Sequence, residues 1–368
     1  MSMSVPKPDF CSGCPINHVT EGYVPAQVVT DSSELIVGEA AGATEIEYGL
    51  PFIGGAGRWL TNLLKSGRQN RDNFNIINTI GCRPGPGNIY PASSEWVATD
   101  RKTALDGLAY CRAHHLQPFL DSKDWNRILA LGNHALEALT PRSGIMTWRG
   151  SPLPLRGHND RPRVIPTLHP AFLMRGSNLF PIVQNDLRKS CNLPPERYNL
   201  YCSPKELENF DYKSFVFDFE WDSFGDITIA GVCGKPYEVL VFSWVEPYIS
   251  IMKKRFESAT DLYGHNIIDA DSVYFDRWGW NVNARMWDTM LMQHLVQPDY
   301  RHGLAFVSSV FTNRPHWKGD GEDDQDVGGH PRSDGRFRGA GDLARSLRSA
   351  AAIRAMPMRC AMTQRCGA

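Results

Sequence analysis

Cysteines are the first residues in this chain whose type and spacing could do chemistry. Cys11 and Cys14 form a Cys-x-x-Cys pair, and Cys82 and Cys111 follow as isolated residues. Four thiolates brought together in a reduced protein can bind zinc or an iron–sulfur cluster. On spacing alone the alternative stays open that the pair is a chance one and that Cys82 and Cys111 are small buried apolar residues.

Carboxylates form a second pattern. Asp218 and Glu220 lie two residues apart in a run that predicts a strand, and alternate side chains of a strand point to the same face. Carboxylates arranged in this way can hold divalent cations that activate water. The alternative is an acidic strand edge that simply faces solvent.

The elements that must position these residues alternate between strand and helix in the first half of the chain. Short apolar runs predict buried strands at 33–39, 74–80, 127–131 and 163–168. Helical spacing predicts helices at 58–64, 95–115, 133–139 and 178–191. Strands that alternate with helices predict a parallel sheet covered on both faces.

The remainder divides into three further segments, after a first domain at 1–192. A proline-containing break predicts a linker at 193–212. Strands at 214–221, 227–233 and 238–244, followed by helices at 246–258, 271–280 and 288–311, predict a second α/β domain at 213–318. Because Arg, Gly, Ala and Met dominate 319–368, we expect a basic, low-complexity tail that is mostly unstructured.

Composition limits the class of protein. The 368 residues exceed one ordinary domain, and 42% hydrophobic with 21% charged residues argue against a disordered, collagen-like or coiled-coil chain. Since no apolar run approaches ~20 residues, we expect no membrane span and no secretory signal. Nine cysteines, an odd number, favour reduced thiols or a metal site over a disulfide framework.

Charge is unevenly distributed. Residues 1–200 carry 20 basic and 17 acidic side chains, whereas 201–326 carry 11 and 21, and 327–368 carry 8 and 2. The near-neutral total therefore hides a middle segment with a net charge of −10. Such a segment binds nucleic acid poorly unless cations bridge the gap.

Four motifs in the first domain carry a resemblance to a known family. In chain order they are Gly38-Glu39-Ala40-Ala41-Gly42, Gly49-Leu50-Pro51-Phe52-Ile53-Gly54-Gly55-Ala56-Gly57, Asn78-Thr79-Ile80-Gly81-Cys82-Arg83-Pro84 and His169-Pro170-Ala171-Phe172-Leu173-Met174-Arg175. Over about residues 9–190 the chain resembles family 4 uracil-DNA glycosylases, the iron–sulfur class of that superfamily. The resemblance implies a three-layer α/β/α fold with a central parallel sheet, and a [4Fe–4S] cluster on Cys11, Cys14, Cys82 and Cys111. Ala41 departs from the proline that is usual in the family, and this change removes no chemical group.

The same resemblance implies roles for individual residues. Phe52 would stack on a flipped-out uracil, with Ala40 beside the base, and Asn78 would pair with the uracil edge and reject cytosine. His169, as a neutral imidazole, would stabilise the departing uracil anion. Glu39 and Glu45 are both candidates for orienting water or stabilising a cationic sugar. Taken singly, these residues could instead be a core aromatic, a turn amide and a structural histidine.

The second domain resembles the DEDD-type 3′–5′ exonuclease domains attached to DNA polymerases, which implies a ribonuclease H-like fold. Asp218 and Glu220 match the first motif, and Asn266 with Asp271 matches the second. The resemblance implies Mg²⁺ or Mn²⁺ bound by Asp218, Glu220 and Asp271. His330-Pro331-Arg332-Ser333-Asp334 has the spacing of the last motif, but its proline argues against the required helix. We therefore expect weak or no nuclease activity.

The leading hypothesis is an enzyme that removes uracil from DNA and leaves an abasic site. Two alternatives remain: a non-catalytic iron–sulfur module that binds uracil or DNA, and a 3′–5′ exonuclease with the first domain as a DNA clamp. The expected partners are uracil-containing DNA and a DNA polymerase or replication assembly. The expected location is the cytoplasm of a bacterial or phage-infected cell, near the nucleoid.

Overall fold

The computed structural model describes residues 5–84, 101–176, 178–192, 198–235 and 238–316, together with the single residues Leu343 and Leu347. The chain divides into two compact units, Met1–Leu193 and Pro194–Ala368. Among the helices of the described residues, none combines the length and apolar character that crossing a membrane requires.

The first unit is built on a five-stranded sheet with the strand order β3-β2-β5-β7-β6. Strands β3, β2, β5 and β7 are parallel, and β6 joins the edge antiparallel to β7. A separate antiparallel pair joins β1 to β4. The strands of this unit are β1 (Thr20–Glu21), β2 (Glu34–Ala40), β3 (Asn75–Ile80), β4 (Arg83–Pro84), β5 (Arg127–Leu131), β6 (Leu153–Leu155) and β7 (His158–Thr167).

Helices connect these strands. They are α1 (Ala43–Tyr48), α2 (Gly55–Ser66), α3 (Arg101–Cys111), α4 (Gln117–Asp121), α5 (Asn133–Leu139), α6 (Ile145–Trp148), α7 (Pro170–Leu173) and α8 (Phe180–Leu187). A π-helical turn, Arg112–Leu116, joins α3 to α4, and 3₁₀ turns occupy Asp9–Gly13, Asn17–Val19 and Arg71–Asn73.

Successive strand residues feed two hydrophobic cores on opposite faces of the sheet. Leu35 and Val37 of β2 pack on one face with residues of α4 and α5. Ile36, between them, packs on the other face with residues of α2 and α8. Because both faces are covered by helices, the strands are buried and nearly continuously apolar, as expected for a mostly parallel sheet.

The second unit contains a six-stranded sheet with the order β13-β12-β9-β10-β11-β8. Strands β9, β10 and β11 form an antiparallel meander, and β12 and β13 continue the sheet parallel to β9. The strands are β8 (Tyr198–Asn199), β9 (Ser214–Trp221), β10 (Ile227–Lys235), β11 (Glu238–Ser243), β12 (Asp261–Gly264) and β13 (Arg285–Asp288). The helices are α9 (Pro204–Glu208), α10 (Tyr248–Glu257), α11 (Val273–Arg277), α12 (Thr289–Val296) and α13 (Leu304–Phe311).

Three expectations for the second half need correction. The segment expected to be a linker contains β8 and α9, and Leu207 and Phe210 are buried in the core of the second unit. The helix expected at 288–311 is two helices, because residues 297–303, which include Pro298 and Gly303, are not helical. Strands β12 and β13 were not predicted.

The expectation for the tail lies largely outside the described residues, as does the candidate metal ligand Asp334. Leu343 and Leu347 are the exceptions: both are helical and fully buried against Val216, Ile229 and Val241. A Cβ at Gly231 would lie 2.2 Å from Cδ1 of Leu347, so this glycine makes room for the leucine. The prediction of an unstructured segment was wrong at these two positions.

Candidate active site

A cavity of about 390 Å³ lies at the carboxyl ends of β2, β3 and β7. Ligands of open α/β sheets bind at this edge, since the loops that follow the strands converge there. The cavity is lined by Ala40, Gly42, Ala43, Thr44, Glu45, Phe52, Gly54, Gly55, Ala56, Asn78, His169, Ala171 and Met174. All four motifs named above therefore contribute residues to this one cavity. The motif that begins with Asn78 contributes only that residue.

Phe52 supplies the aromatic wall of the cavity. Its side chain is buried, and its ring centroid lies 5.7 Å from that of His169, with 40° between the ring planes. The backbone of Phe52 is left-handed, with φ +55°, a conformation that costs a bulky residue roughly 1–3 kcal/mol. Such strain persists only where surrounding contacts hold the residue in place.

Two glycines make this placement of Phe52 possible. A Cβ at Gly57 would lie 1.7 Å from the carbonyl oxygen of Phe52, so only glycine lets α2 begin so close to the loop. A Cβ at Gly38 would lie 2.4 Å from both the Phe52 ring and Oδ1 of Asn78. Gly38 thus allows the ring and the amide to meet above the end of β2.

Asn78 lines the cavity and carries a buried, unsatisfied acceptor. The residue is 4% exposed, and among the described residues its Oδ1 has no hydrogen-bond partner. A buried acceptor left without a donor costs about 1–3 kcal/mol, so its presence points to a ligand that donates. The backbone carbonyl of Asn78 lies 3.2 Å from Nε2 of His115, whose Nδ1 lies 3.0 Å from the Tyr23 hydroxyl.

His169 stands immediately before α7. Its Nδ1 accepts a hydrogen bond from the backbone N–H of Ala171 at 3.2 Å, and the neutral ring therefore carries its proton on Nε2. Burial lowers the pKa of His169 to about 4, with a further contribution from Arg175. At neutral pH the residue is an uncharged hydrogen-bond donor.

The two candidate carboxylates occupy different places. Glu45 lies on the cavity wall, and its Oε1 accepts a hydrogen bond from the N–H of Gly54 at 3.0 Å. Glu39 is not among the residues that line the cavity. Burial raises the pKa of Glu39 to about 7, an effect that the positive charge of Arg175 opposes.

Cys11, Cys14, Cys82 and Cys111 border a second cavity, together with Lys7, Tyr23 and Tyr110. Burial raises the pKa of Cys111 to about 12, and negative charge on Cys82, Cys14 and Cys11 adds to this rise. Burial also raises the pKa of Cys11, and negative charge on Cys82 and Cys14 contributes to this rise. The four sulfurs therefore lie within electrostatic reach of one another. A site with four thiol donors and this mutual repulsion suits a positively charged metal centre.

Within the described residues no three His, Cys, Asp or Glu side chains converge as ligands of a single metal ion would. For the second unit it leaves the expected divalent-metal site without support.

The carboxylates of the second unit are nevertheless neighbours. Oδ1 of Asp271 accepts the backbone N–H of Phe219 at 2.9 Å, between Asp218 and Glu220. Burial, together with the charges of Glu220 and Asp288, raises the pKa of Asp271 to about 7. Asp288 accepts N–H groups of Asn266, Ile268 and Met290 at 2.9, 3.2 and 2.9 Å, so its carboxylate caps α12 and fastens the preceding loop.

Sequence reasoning missed three residues that shape the first cavity. Gly38 was quoted only within a motif, and its spacing gave no sign of the two groups that it accommodates. His115 follows Cys111 by four residues, and Arg71 donates to backbone carbonyls of the Phe52 loop. Backbone carbonyls have no sequence signature, so no pattern could have revealed Arg71.

Comparison with known proteins finds relatives of the first unit. The family model of the uracil-DNA glycosylase superfamily matches residues 25–189. The type-4 uracil-DNA glycosylase of Thermotoga maritima is 31% identical over 184 residues, which are 49% of this chain and 87% of that protein. The type-4 enzyme of Sulfurisphaera tokodaii is 29% identical over 199 residues, 52% of this chain and 84% of that protein.

The fold and site thus define a protein of the uracil-DNA glycosylase class. The chain belongs to the type-4 family of that superfamily, through its first unit. These two relatives match about half of the chain.

Proposed function

We propose that the first unit hydrolyses the N-glycosidic bond of deoxyuridine in DNA and leaves an abasic site. The observation that carries this proposal is the buried Oδ1 of Asn78, which has no hydrogen-bond partner among the described residues and belongs to a residue that lines one cavity with Phe52 and His169. The relatives named type-4 uracil-DNA glycosylase support the same activity.

Uracil recognition follows from the hydrogen-bonding pattern of the base. A uracil flipped out of the DNA stack would lie against Phe52 with its N3–H donating to Oδ1 of Asn78. The amide Nδ2 would donate to O4 of the base. Cytosine has an acceptor at N3 and a donor at the neighbouring amino group, so both contacts would oppose like partners and exclude it.

Departure of the base requires stabilisation of a negative charge. Nε2–H of His169 would donate to O2 of uracil, where the charge develops as the glycosidic bond breaks. A neutral imidazole can do this without first losing a proton, because its pKa of about 4 lies far below neutral pH. Donors aimed at developing charge typically contribute about 10²–10³ in rate.

Water attack is assigned to a carboxylate. Glu45 lies on the cavity wall with one oxygen fixed by Gly54, and its other oxygen would orient the water or stabilise a cationic sugar. Glu39, which precedes Ala40 in the chain, is the second candidate, and burial raises its pKa to about 7.

Cys11, Cys14, Cys82 and Cys111 would hold a [4Fe–4S] cluster, since these four thiols border one cavity. When bound, the cluster would cross-link the start of the chain to the end of β3 and the end of α3. None of the proton or bond changes above involves it.

The test uses a fluorescent single strand with one uracil, incubated with the protein and then cleaved with alkali. We expect strand breaks only at uracil, and a loss of at least about 10²-fold with Asn78→Asp, which sets a carboxylate against O4. Asn283→Asp, on an exposed residue of the second unit, is the matched control. Intact strands with wild-type protein that binds the oligonucleotide would instead support a binding module.

For the second unit we propose a ribonuclease H-like domain of the 3′–5′ exonuclease type with weak or no nuclease activity. The order β11-β10-β9-β12-β13 and the proximity of Asp271 to Glu220 support this proposal. Any activity would use Mg²⁺ or Mn²⁺ bound by Asp218, Glu220 and Asp271, and a DNA polymerase or replication assembly would be the partner. Robust metal-dependent 3′ trimming that is lost in Asp218→Ala would overturn the expected low activity, and trimming that survives this change would rule out the assigned site.

A further inference from the structure

Arg71 forms hydrogen bonds with the backbone of the loop that carries Phe52. Its Nη1 donates to the carbonyl of Phe52 at 2.6 Å, and its Nη2 donates to the carbonyl of Pro51 at 2.8 Å. Nη1 also lies 3.4 Å from Oγ1 of Thr61 on α2. The two nitrogens of a guanidinium have the spacing to bind two neighbouring acceptors at once, which a lysine ammonium lacks.

The loop is held from its other side by Glu45. Gly54 donates its N–H to Oε1 of Glu45 at 3.0 Å, two residues after Phe52. Burial lowers the pKa of the Arg71 guanidinium, and the negative charges of Asp72 and, to a smaller extent, Glu45 oppose this fall. Arg71 thus holds the Phe52 loop through two backbone carbonyls, and Glu45 holds it through one backbone N–H group.

These hydrogen bonds act on a residue whose backbone conformation is strained. Phe52 has φ +55°, and its carbonyl oxygen sits directly above Gly57. A ring released from this geometry would rotate out of the position in which it packs 5.7 Å from the His169 ring. Arg71 itself lies in the 3₁₀ turn Arg71–Asn73 and does not line the cavity.

We infer that Arg71 is a positioning residue for base excision, acting through Phe52: by binding two successive carbonyls it fixes the ring against which the extruded base stacks. The inference rests on the proposed function, because it requires a base in the cavity. Arg71 would set the rate of excision without touching the substrate.

A double-mutant cycle on the full-length protein separates this role from a merely structural one. Single-turnover excision of uracil is measured for wild type, Arg71→Ala, Phe52→Leu and the double variant, at temperatures well below each melting temperature. If Arg71 acts through Phe52, each single change lowers the rate by about 10- to 100-fold and the double variant is no slower than the slower single variant. Multiplied losses, or a normal rate in Arg71→Ala, would overturn the inference.

Two further variants keep the test decisive. Arg71→Lys retains the charge and the aliphatic stem, so it replaces Arg71→Ala in the test if the alanine variant fails to fold. On a logarithmic scale, we expect the loss of excision rate in Arg71→Lys to be at least half of the loss in Arg71→Ala. Arg188→Ala is the matched control, because Arg188 also donates to a backbone carbonyl, that of Ser66 at 2.8 Å, but on an exposed surface. Wild-type protein that excises no uracil would refute the proposed function itself, whereas active wild type with multiplied losses refutes only the role of Arg71.

Discussion

The Nδ1 atom of His169 accepts the backbone N–H of Ala171, and this hydrogen bond fixes the tautomer of the imidazole. With Nδ1 occupied as an acceptor, Nε2 must carry the proton. The first turn of α7 therefore determines that the residue meets the cavity as a donor. Burial favours the neutral form of the ring, as does the positive charge of Arg175. A protonated ring would in addition have to give up the bond to Ala171.

The first prediction concerns acidic pH. Because burial lowers the pKa of His169 from 6.5 to about 4 in the folded chain, its contribution to stability is complete above pH 6.5 and is lost as the pH falls toward 4. We expect the free energy of unfolding of wild type to fall by about 1–2 kcal/mol more than that of His169→Gln between pH 7 and pH 5. Urea titrations at both pH values measure this difference, and parallel losses in the two proteins would contradict it.

Glu39 gives a second prediction of opposite sign. Its folded pKa is raised from 4.5 to about 7, so its neutral form is favoured and stability is lost as the pH rises from 4.5 to 7. We expect Glu39→Gln to be more stable than wild type at pH 8 by about 3 kcal/mol, and equally stable at pH 4. A wild-type excision rate that rises with a midpoint near pH 7, absent from the glutamine variant, would give Glu39 rather than Glu45 the role in water attack.

Gly38 yields the third prediction. In Gly38→Ala the new methyl group would meet the Phe52 ring and Oδ1 of Asn78 at 2.4 Å, so one of the two must move out of place. We expect excision to fall by about 10²-fold or more, with a stability cost of about 1–3 kcal/mol. Gly303→Ala, where a Cβ meets nothing within 4 Å, is the control for both rate and stability. An active Gly38→Ala protein would show that the ring and the amide do not act together.

Sequence patterns predicted the central strands because these depend on local regularities, whereas the roles of the cavity motifs came only from the resemblance to a known family. A buried parallel strand is a short apolar run, and β5 was predicted with the bounds that the structure gives it. Strand β12 was missed because it has only four residues, which begin and end with Asp261 and Gly264. Its place in the sheet comes from pairing with β9 and β13, and this pairing leaves no local pattern.

The mistaken linker had a readable signal. Ser203 and Glu206 form a capping box at the start of α9, in which each side chain binds the backbone N–H of the other residue. The spacing Ser-x-x-Glu predicts a helix start, but the preceding prolines pointed to a linker. Arg71 offers the opposite case, since its partners are carbonyls 19 and 20 residues away and only the folded loop brings them together.

The cysteines give the fourth prediction. If Cys82 and Cys111 hold an iron–sulfur cluster, replacing either by serine should remove the absorbance near ~400 nm and most of the bound iron. Cys191 is the matched control, because it is equally buried but packs in the hydrophobic core beside Leu187. Cys191→Ser should keep both signals. If wild-type protein is colourless and contains stoichiometric zinc, the four cysteines bind zinc rather than an iron–sulfur cluster.

The fifth prediction concerns the support beneath His169. Asp186 is fully buried, and its carboxylate binds the guanidinium of Arg149 through two nitrogens, with Nε at 2.8 Å from Oδ2. The same Oδ2 accepts the hydroxyl of Thr167 at 2.9 Å, two residues before His169. Asp186→Asn would leave the Arg149 charge buried without its counterion, and breaking a buried pair in this way costs about 3–5 kcal/mol.

The matched control for this ion pair is Asp211→Asn, since Asp211 binds Arg255 at 2.8 Å at an exposed position and such pairs contribute about 1 kcal/mol or less. We expect a large fall in the free energy of unfolding for the buried change and almost none for the exposed one. Because Thr167 leads directly into His169, excision by Asp186→Asn should also fall at temperatures where the variant is fully folded. Equal stability losses in the two variants would mean that the buried carboxylate is not what anchors the end of β7.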